Sequence, residues 1–437
     1  MKILIAGAGV GGLSAALSLH AAGFTEVQVM EAADELRPEG VGLNILPNAI
    51  RELSELGVYE QLSVQAVTTS ELALYNFRGQ LIWKEPRGRS AGYHWPQLSI
   101  HRGHLLSVLA AAVRRQLGHD TIVAHTRVTG WSEQPDGRIT VTLLSGGDTT
   151  ATVADVDLLI GADGIHSTVR SRLYPDEGPA PGNGMVMWRG TTWAPAFLDG
   201  STMIVAGTDQ ERLVLYPIAT EPDHGRSLIN WVAARPDPRG GDSDWTRKAS
   251  VDDVLKYFGG ILFEWLDVPT ILSSTSQVYR YPLVDRDPLP RWSFGRVTLL
   301  GDAAHAMYPM GSNGATQSII DARALAQALA LAGPDVPQAL QNYQNERLPV
   351  MTRLQAINRE QGPEAVISTV HRRAPNGFQN LHDVISQAEL ESVSSGYAGA
   401  GSFDVTTVNT RPSRTIRPSG PQQTRVDSPD DLTKVTQ

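Results

Sequence analysis

A chain of 437 residues has room for two or three hydrophobic cores, and 41% hydrophobic with 19% charged residues is the composition of a globular protein. The net charge of −9 argues against nucleic acid or an anionic membrane as the main partner, since both select basic surfaces. The absence of cysteine excludes disulfides, thiolate catalysis and cysteine-ligated metal or iron–sulfur centres. The N-terminus runs into an apolar strand without a cleavable-signal pattern, and no segment reaches the roughly eighteen apolar residues of a membrane span. A soluble, cytoplasmic protein is expected.

Lys2-Ile3-Leu4-Ile5-Ala6 is a short apolar run, the pattern of a strand buried on both faces. Gly7-Ala8-Gly9-Val10-Gly11-Gly12 follows, with glycines at the three positions of G-x-G-x-x-G. A helix is expected from Leu13 to its stop at Gly23, then a second strand Val27–Met30 with Glu31 at its end. Each part has a task in binding a dinucleotide: Gly7 allows the tight turn, Gly9 admits a pyrophosphate to the backbone, and Gly12 lets helix and strand pack closely. The helix N-terminus offers free N–H groups to the phosphates, and Glu31 can accept from a ribose hydroxyl. This fingerprint serves NAD and FAD equally.

Further along, Glu35–Asn44 is a glycine-bearing loop in which Arg37 is either a solvated charge or a cofactor contact. Pro47–Leu56 is amphipathic, and Glu71–Trp83 alternates as a strand pair about the turn Asn76–Gly79. Ser99–Leu105 is expected to open a helix reaching Leu117, with Arg102 in its first turn, where a cation opposes the helix dipole and calls for an anionic partner. Residues 121–160 read as hairpins that return to one buried strand, Asp155–Ile160, before Gly161-Ala162-Asp163-Gly164. From 181 to 275 tryptophans and short alternating runs replace the α/β rhythm, which predicts an antiparallel sheet. Strand Arg296–Leu300 then leads into Gly301-Asp302, the turn Pro309–Gly314 and helices Ala315–Leu331 and Val336–Gln361.

Three separated motifs therefore stand together: Gly7/Gly9/Gly12 with Glu31, Asp163-Gly164, and Gly301-Asp302. Over roughly residues 1–360 this resembles the single-component FAD-dependent aromatic hydroxylases, the para-hydroxybenzoate hydroxylase-like flavoprotein monooxygenases. The runs Glu85–Gly88, Ser99–Gly103, Met187–Gly190, Tyr281–Pro290 and Met307–Gly311 look like those of its phenazine-carboxylate hydroxylases. The resemblance implies an α/β fold: a Rossmann-like FAD-binding domain, an antiparallel-sheet substrate domain and C-terminal helices. By position, 1–72, 97–180 and 276–361 would form the discontinuous FAD-binding domain, and 73–96 with 181–275 the substrate sheet. Residues 362–403 would be a helical extension and 404–437 a disordered tail.

The resemblance also implies resident FAD, held by the first motif together with Arg102, Asp163, Gly164 and Asp302, and by Arg37 as a weaker candidate. Pro309, Gly311, Asn313 and Gly314 would lie beside the isoalloxazine, with the next helix directing its N-terminus at the flavin. Trp188, Tyr216 and Pro309 are candidates for the substrate pocket. NADH or NADPH would act as transient reductant, and O2 would be used through a C4a-hydroperoxyflavin to hydroxylate an aromatic or N-heteroaromatic acid, with or without decarboxylation. No metal is called for, and His101, His104, His166 and His305 read as structural because they lack ligand spacing. A homodimer is compatible with this reading. The alternatives are a flavin reductase or oxidase on the same scaffold and a non-catalytic FAD-binding aromatic sensor; a halogenase is disfavoured because W-x-W-x-I-P is missing.

Overall fold

The computed structural model describes residues 1–36, 40–147, 150–237 and 248–416. β1 (Lys2–Ala6), buried at four of its five positions, leads through the glycine turn into α1 (Val10–Ala21) and β2 (Glu26–Met30). The two strands pair in parallel with Ile3 opposite Val27. Two further helices belong to this half: α2 (Pro47–Glu55) and α3 (Arg102–Leu117). On the other side of β1 lies β3 (Leu158–Gly161), followed by the short α4 (Thr168–Leu173). The six-stranded sheet runs in the order 293–294, 297–299, β3, β1, β2, 122–123, parallel except for its first pair.

Two expected elements divide differently. The run Asp155–Ile160 is split at Asp157 between two sheets: Thr152–Val156 ends a three-stranded antiparallel sheet, and β3 belongs to the parallel one. Asp157 makes the switch by exchanging bonds with Lys2, its N–H to Lys2 O at 2.8 Å and its Oδ2 to Lys2 N at 2.7 Å. Ser99–His101 belongs to a strand, Gln97–His101, and α3 starts only at Arg102, capped by His101 Nδ1 accepting from Gly103 N at 3.1 Å.

The second layer is an eight-stranded sheet, antiparallel apart from one parallel pair between 71–76 and 202–207. Its centre is β4 (Gly182–Pro195), β5 (Arg212–Glu221) and β6 (Arg226–Pro236), in the order β4-β6-β5. Strand alternation gives it two unlike faces. Trp188 of β4, Trp231 and Ala233 of β6, and Leu213 and Leu215 of β5 form an apolar cluster with helices 251–258 and 268–273. The opposite face carries Met187, Arg189, Tyr216 and Asn230. Strand Val278–Val284, placed by sequence in the FAD-binding part, instead pairs with β4 and extends this sheet.

The chain closes with α5 (Asn313–Ala332), α6 (Val336–Arg359), α7 (Gln387–Ala400) and α8 (Val405–Thr410). The expectation of disorder from 404 onward fails for residues 404–416; residues 417–437 lie outside the described part. Val408 is buried, Arg411 pairs with the buried Glu52 of α2, and Arg414 pairs with Glu346. Arg51 reciprocates by donating to Val408 O at 2.8 Å and Arg411 O at 2.5 Å. Low hydrophobicity predicts disorder only when nothing buried waits for charge. Here the carboxylate of Glu52, already bonded to Arg323 at 2.9 Å, supplies the attachment.

Candidate functional site

A groove of about 330 Å³ runs between the two layers. Its walls come from all three motifs: Gly9–Gly11 at the start of α1, Ala162 and Gly164 after β3, and Gly301-Asp302 with Pro309 and Ser312–Ala315 ahead of and within α5. Arg102 at the start of α3 lies on its rim, and Asn44, Arg189 and Tyr216 line the side facing the eight-stranded sheet. The volume falls within the range of small-molecule sites.

The glycines divide into those that pack and those that open. A Cβ at Gly12 would stand 1.9 Å from Gly7 O, and one at Gly7 would stand 2.5 Å from Ala162 O, so these two weld turn, helix and β3 together. Gly9 is the opposite, with nothing within 4 Å of such a Cβ. It caps α1 without a side chain, so the first-turn N–H groups are left for a ligand. The N-terminus of α5 also lacks a side-chain cap. Two uncapped helix starts in one groove suit an extended ligand with an anionic centre and an electron-accepting ring beyond it, which is the chemistry of FAD with its central pyrophosphate and terminal flavin.

Several expected site residues stand one step back. Glu31 does not line the groove; its carboxylate holds the glycine turn by accepting from Ala8 N at 2.7 Å and from Ala33 N at 2.9 Å. Asp163 also turns inward, accepting from Thr168 N at 2.7 Å and Val169 N at 3.2 Å, so it braces α4 while its neighbours Ala162 and Gly164 face the groove. Burial pushes the Asp163 carboxyl up, against the bonds from Ser167, Val169 and Thr168. Buried Arg170 ties this motif to the third one by donating to Ala303 O and Ala304 O, each at 3.1 Å. Arg37 lies outside the described residues.

Asp302 does enter the groove, reaching solvent there while enclosed by protein. Desolvation raises its carboxyl above the ordinary 3.8, with His305 and Arg102 pulling the other way. Arg102 is the anion-seeking first-turn cation expected from sequence, and among the described residues it has no carboxylate within 4 Å. The turn into α5 has two successive left-handed residues, Gly311 at φ +62° and Ser312 at φ +60°. Pro309, Ser312, Asn313 and Gly314 line the groove; Gly311 faces away, against Tyr397.

On the sheet side Tyr216 and Pro309 line the groove, but Trp188 does not. It is 3% exposed and stacks on Tyr257 in the apolar cluster behind the sheet. The groove residue on that strand is its neighbour Arg189, which sequence reasoning missed. Arg189 is half-buried, donates to Gly42 O at 2.8 Å, and leaves its Nε without a partner. Tyr216 sits among Arg189, Asn230 and Asn44; burial raises its hydroxyl above the ordinary 10.0 despite those bonds, so it keeps its proton. Met187, Tyr308, Leu283 and Ala234 make an apolar cluster beside these polar groups. The described residues contain no cluster of three or more metal-ligating side chains, and no helix among them is long and apolar enough to cross a membrane.

Comparison with known proteins agrees with this architecture. A family model described as an FAD binding domain matches residues 1–357. The phenazine 1,6-dicarboxylic acid hydroxylase PhzS of Lysobacter antibioticus is 48% identical over 367 residues, 82% of this chain and 89% of that protein. The 3-hydroxybenzoate 6-hydroxylase of Polaromonas naphthalenivorans is 31% identical over 372 residues, 83% of this chain and 87% of its own. Klebsiella pneumoniae HpxO, solved with FAD and uric acid, shares the fold at a TM-score of 0.73 and 23% identity, covering 94% of this chain and 97% of that one. The chain thus belongs to the FAD-binding-domain family of flavin-dependent aromatic hydroxylases, and its cofactor is FAD.

Proposed function

We propose that this enzyme hydroxylates an N-heteroaromatic acid of the phenazine-carboxylate class, using NADH or NADPH and O2. The observation that carries the acid is Arg189. A half-buried arginine that lines the groove, with no carboxylate within 4 Å among the described residues to neutralise it, is a receptor for an anionic ligand. The names of the two relatives above, a phenazine dicarboxylic acid hydroxylase and a hydroxybenzoate hydroxylase, have an aromatic carboxylic acid in common, and the first supports the phenazine reading.

FAD, when bound, supplies the redox and oxygen chemistry. The protein's own contribution is binding, orientation and exclusion of water. Gly9–Gly11 and the α1 N-terminus would take the pyrophosphate, with Arg102 as a counter-charge. Glu31 would present its remaining lone pairs to the adenosine ribose, and Asp302, Gly164 and Gly314 would hold the middle and ring portions of the cofactor. The α5 N-terminus would favour negative charge on the reduced ring. Arg189 would fix the substrate carboxylate, Tyr216 would donate its hydroxyl proton to the bound ring system, and Met187 and Tyr308 would keep water from the reacting face.

We further propose that hydroxylation occurs at the carbon bearing the carboxylate. In that step the aromatic carboxylate, O2, the reduced nicotinamide and two protons give the phenol, CO2, water and the oxidised nicotinamide. A screen of phenazine, quinoline, nicotinate and salicylate-type acids, following nicotinamide oxidation and product mass, tests both statements. Gain of one oxygen with the carboxylate retained would sink the decarboxylation; peroxide without hydroxylated product from any of them would sink the substrate class.

A further inference from the structure

One residue beyond the family domain returns to the flavin-ring end of the groove. Tyr397, on α7, is buried, and the hydroxyl end of its ring lies against the turn that precedes α5: a Cβ added at Gly311 would stand 2.4 Å from it. Gly311 is required twice over, by its positive φ and by this contact. The Tyr397 hydroxyl accepts from Asn313 Nδ2 at 2.8 Å and donates to Asn358 Oδ1 at 2.9 Å, with Met310 O an alternative acceptor at 3.0 Å. Asn358 in turn donates to Tyr308 O at 3.1 Å.

The turn needs such a support. Ser312 holds a left-handed conformation that is unfavourable for a residue with a Cβ, and it persists only where surroundings enforce it. The support also reaches the Gly301-Asp302 motif through buried side chains. Gln317 donates to Asn313 Oδ1 at 2.9 Å, and Arg347 donates to Gln317 Oε1 and to Asp321 Oδ1, each at 2.7 Å. Asp321 Oδ2 meets His305 Nε2 at 2.5 Å and accepts from Gly301 N at 3.2 Å. All these side chains are buried, so a displacement at Tyr397 has no slack in which to die out.

We propose that Tyr397 is a positioning residue for the flavin ring, by which a helix outside the family domain sets how much of the consumed reductant ends in hydroxylated product. It touches the turn that bears Pro309 and Asn313, not the ring itself. Tilting that turn shifts the ring against the substrate and opens the reacting face to water, and near-ångström displacements of this kind are costly. The inference rests on FAD placing its ring at this turn, as in the reading above, and not on which aromatic acid is the substrate.

The test compares FAD-loaded parent with Tyr397→Phe, Asn358→Ser and Tyr93→Phe. Tyr93 donates to Phe403 O at 2.7 Å, so its loss loosens the same C-terminal layer without touching the turn. The visible absorption and circular dichroism of the bound flavin, recorded without substrate, are expected to change in Tyr397→Phe and, less strongly, in Asn358→Ser, while Tyr93→Phe matches the parent. With an accepted aromatic acid, product formed per nicotinamide oxidised should fall by about tenfold in Tyr397→Phe, with peroxide making up the balance. Parent-like flavin spectra and coupling in both Tyr397→Phe and Asn358→Ser overturn the proposal. So does the same change in Tyr93→Phe, which would make the effect one of general loosening. Should Tyr397→Phe fail to fold, Asn358→Ser decides, since it keeps the ring in place. Because the spectra need no substrate, a wrong substrate class leaves this result standing, and a null spectrum leaves the substrate class standing.

Discussion

The two faces of the eight-stranded sheet are made by the same three strands and obey opposite rules. Behind the sheet, Trp188, Trp231 and Leu215 pack in an apolar cluster with helices; in front, Arg189, Tyr216 and Asn230 gather polar side chains, Arg189 and Tyr216 of them at the groove. Two adjacent residues, Trp188 and Arg189, are separated by the pleat alone. One face packs the fold and the other turns charge and hydroxyl toward the groove, and substitutions should separate stability from binding along that line.

The largest effect is expected on the packed face. Trp188→Ala should cost about 3–5 kcal/mol in denaturant unfolding while the KM for the aromatic acid in the folded fraction stays near the parent value. Arg189→Met should do the reverse. Loss of a charged hydrogen bond worth roughly 1.5–3 kcal/mol raises KM by about 10- to 150-fold, with unfolding free energy little changed. A stability loss in Arg189→Met as large as that in Trp188→Ala would erase the distinction between the faces. Arg411→Ala tests a third region: it leaves the Glu52 carboxylate with Arg323 as a remaining partner, so a loss of about 1–3 kcal/mol is expected, read by thermal unfolding, with KM untouched. Tyr216→Phe removes one hydroxyl from the groove face and should lower kcat/KM by about fivefold, a change of roughly 1 kcal/mol, at unchanged melting temperature.

A separate effect is on acid stability. Burial works to raise the Asp321 carboxyl, yet His305 and Arg347 overcome it and hold the group at about 2, below its ordinary 3.8. A lowered carboxylate stabilises the fold fully above its unfolded value and loses that contribution as pH falls from 3.8 toward 2. The acid-unfolding curve of Asp321→Asn should lack that segment. An unchanged curve would mean the pair does not operate as described.

What could be read from the sequence follows from which patterns are local. The glycine turn, β1 and β2 are legible because the steric demands on Gly7 and Gly12 are met by residues close in the chain or by one long-range strand contact. The contrast between Trp188 and Arg189 was not legible, since both readings suit an alternating strand and only pairing with β6, Trp188 opposite Ala233, fixes which face is dry. Tyr216 was readable as a candidate, but its company was not, because Asn230 and Arg189 reach it from other strands. Glu31 and Asp163 were found for their motifs; their bonds to Ala8 N and Thr168 N, by which they brace the glycine turn and α4, depend on distances that no spacing reveals. Order in residues 404–416 was invisible because its cause, Glu52, lies at the other end of the chain.

That attachment has a kinetic consequence. Arg411 meets Glu52 across 359 residues, and Arg51 meets Val408 across 357. Contacts of such separation form late, because the chain entropy lost in closing the loop is repaid only at the end. During synthesis at about 5–20 residues per second, the N-terminal half, flavin fingerprint included, therefore waits tens of seconds for both cations of Glu52, Arg323 and last Arg411. Emergence of Arg411 then acts as a latch: it locks the earliest-made layer only when the last-made helices have arrived, so nascent chains halted before residue 411 should remain open to protease while full-length chains resist it.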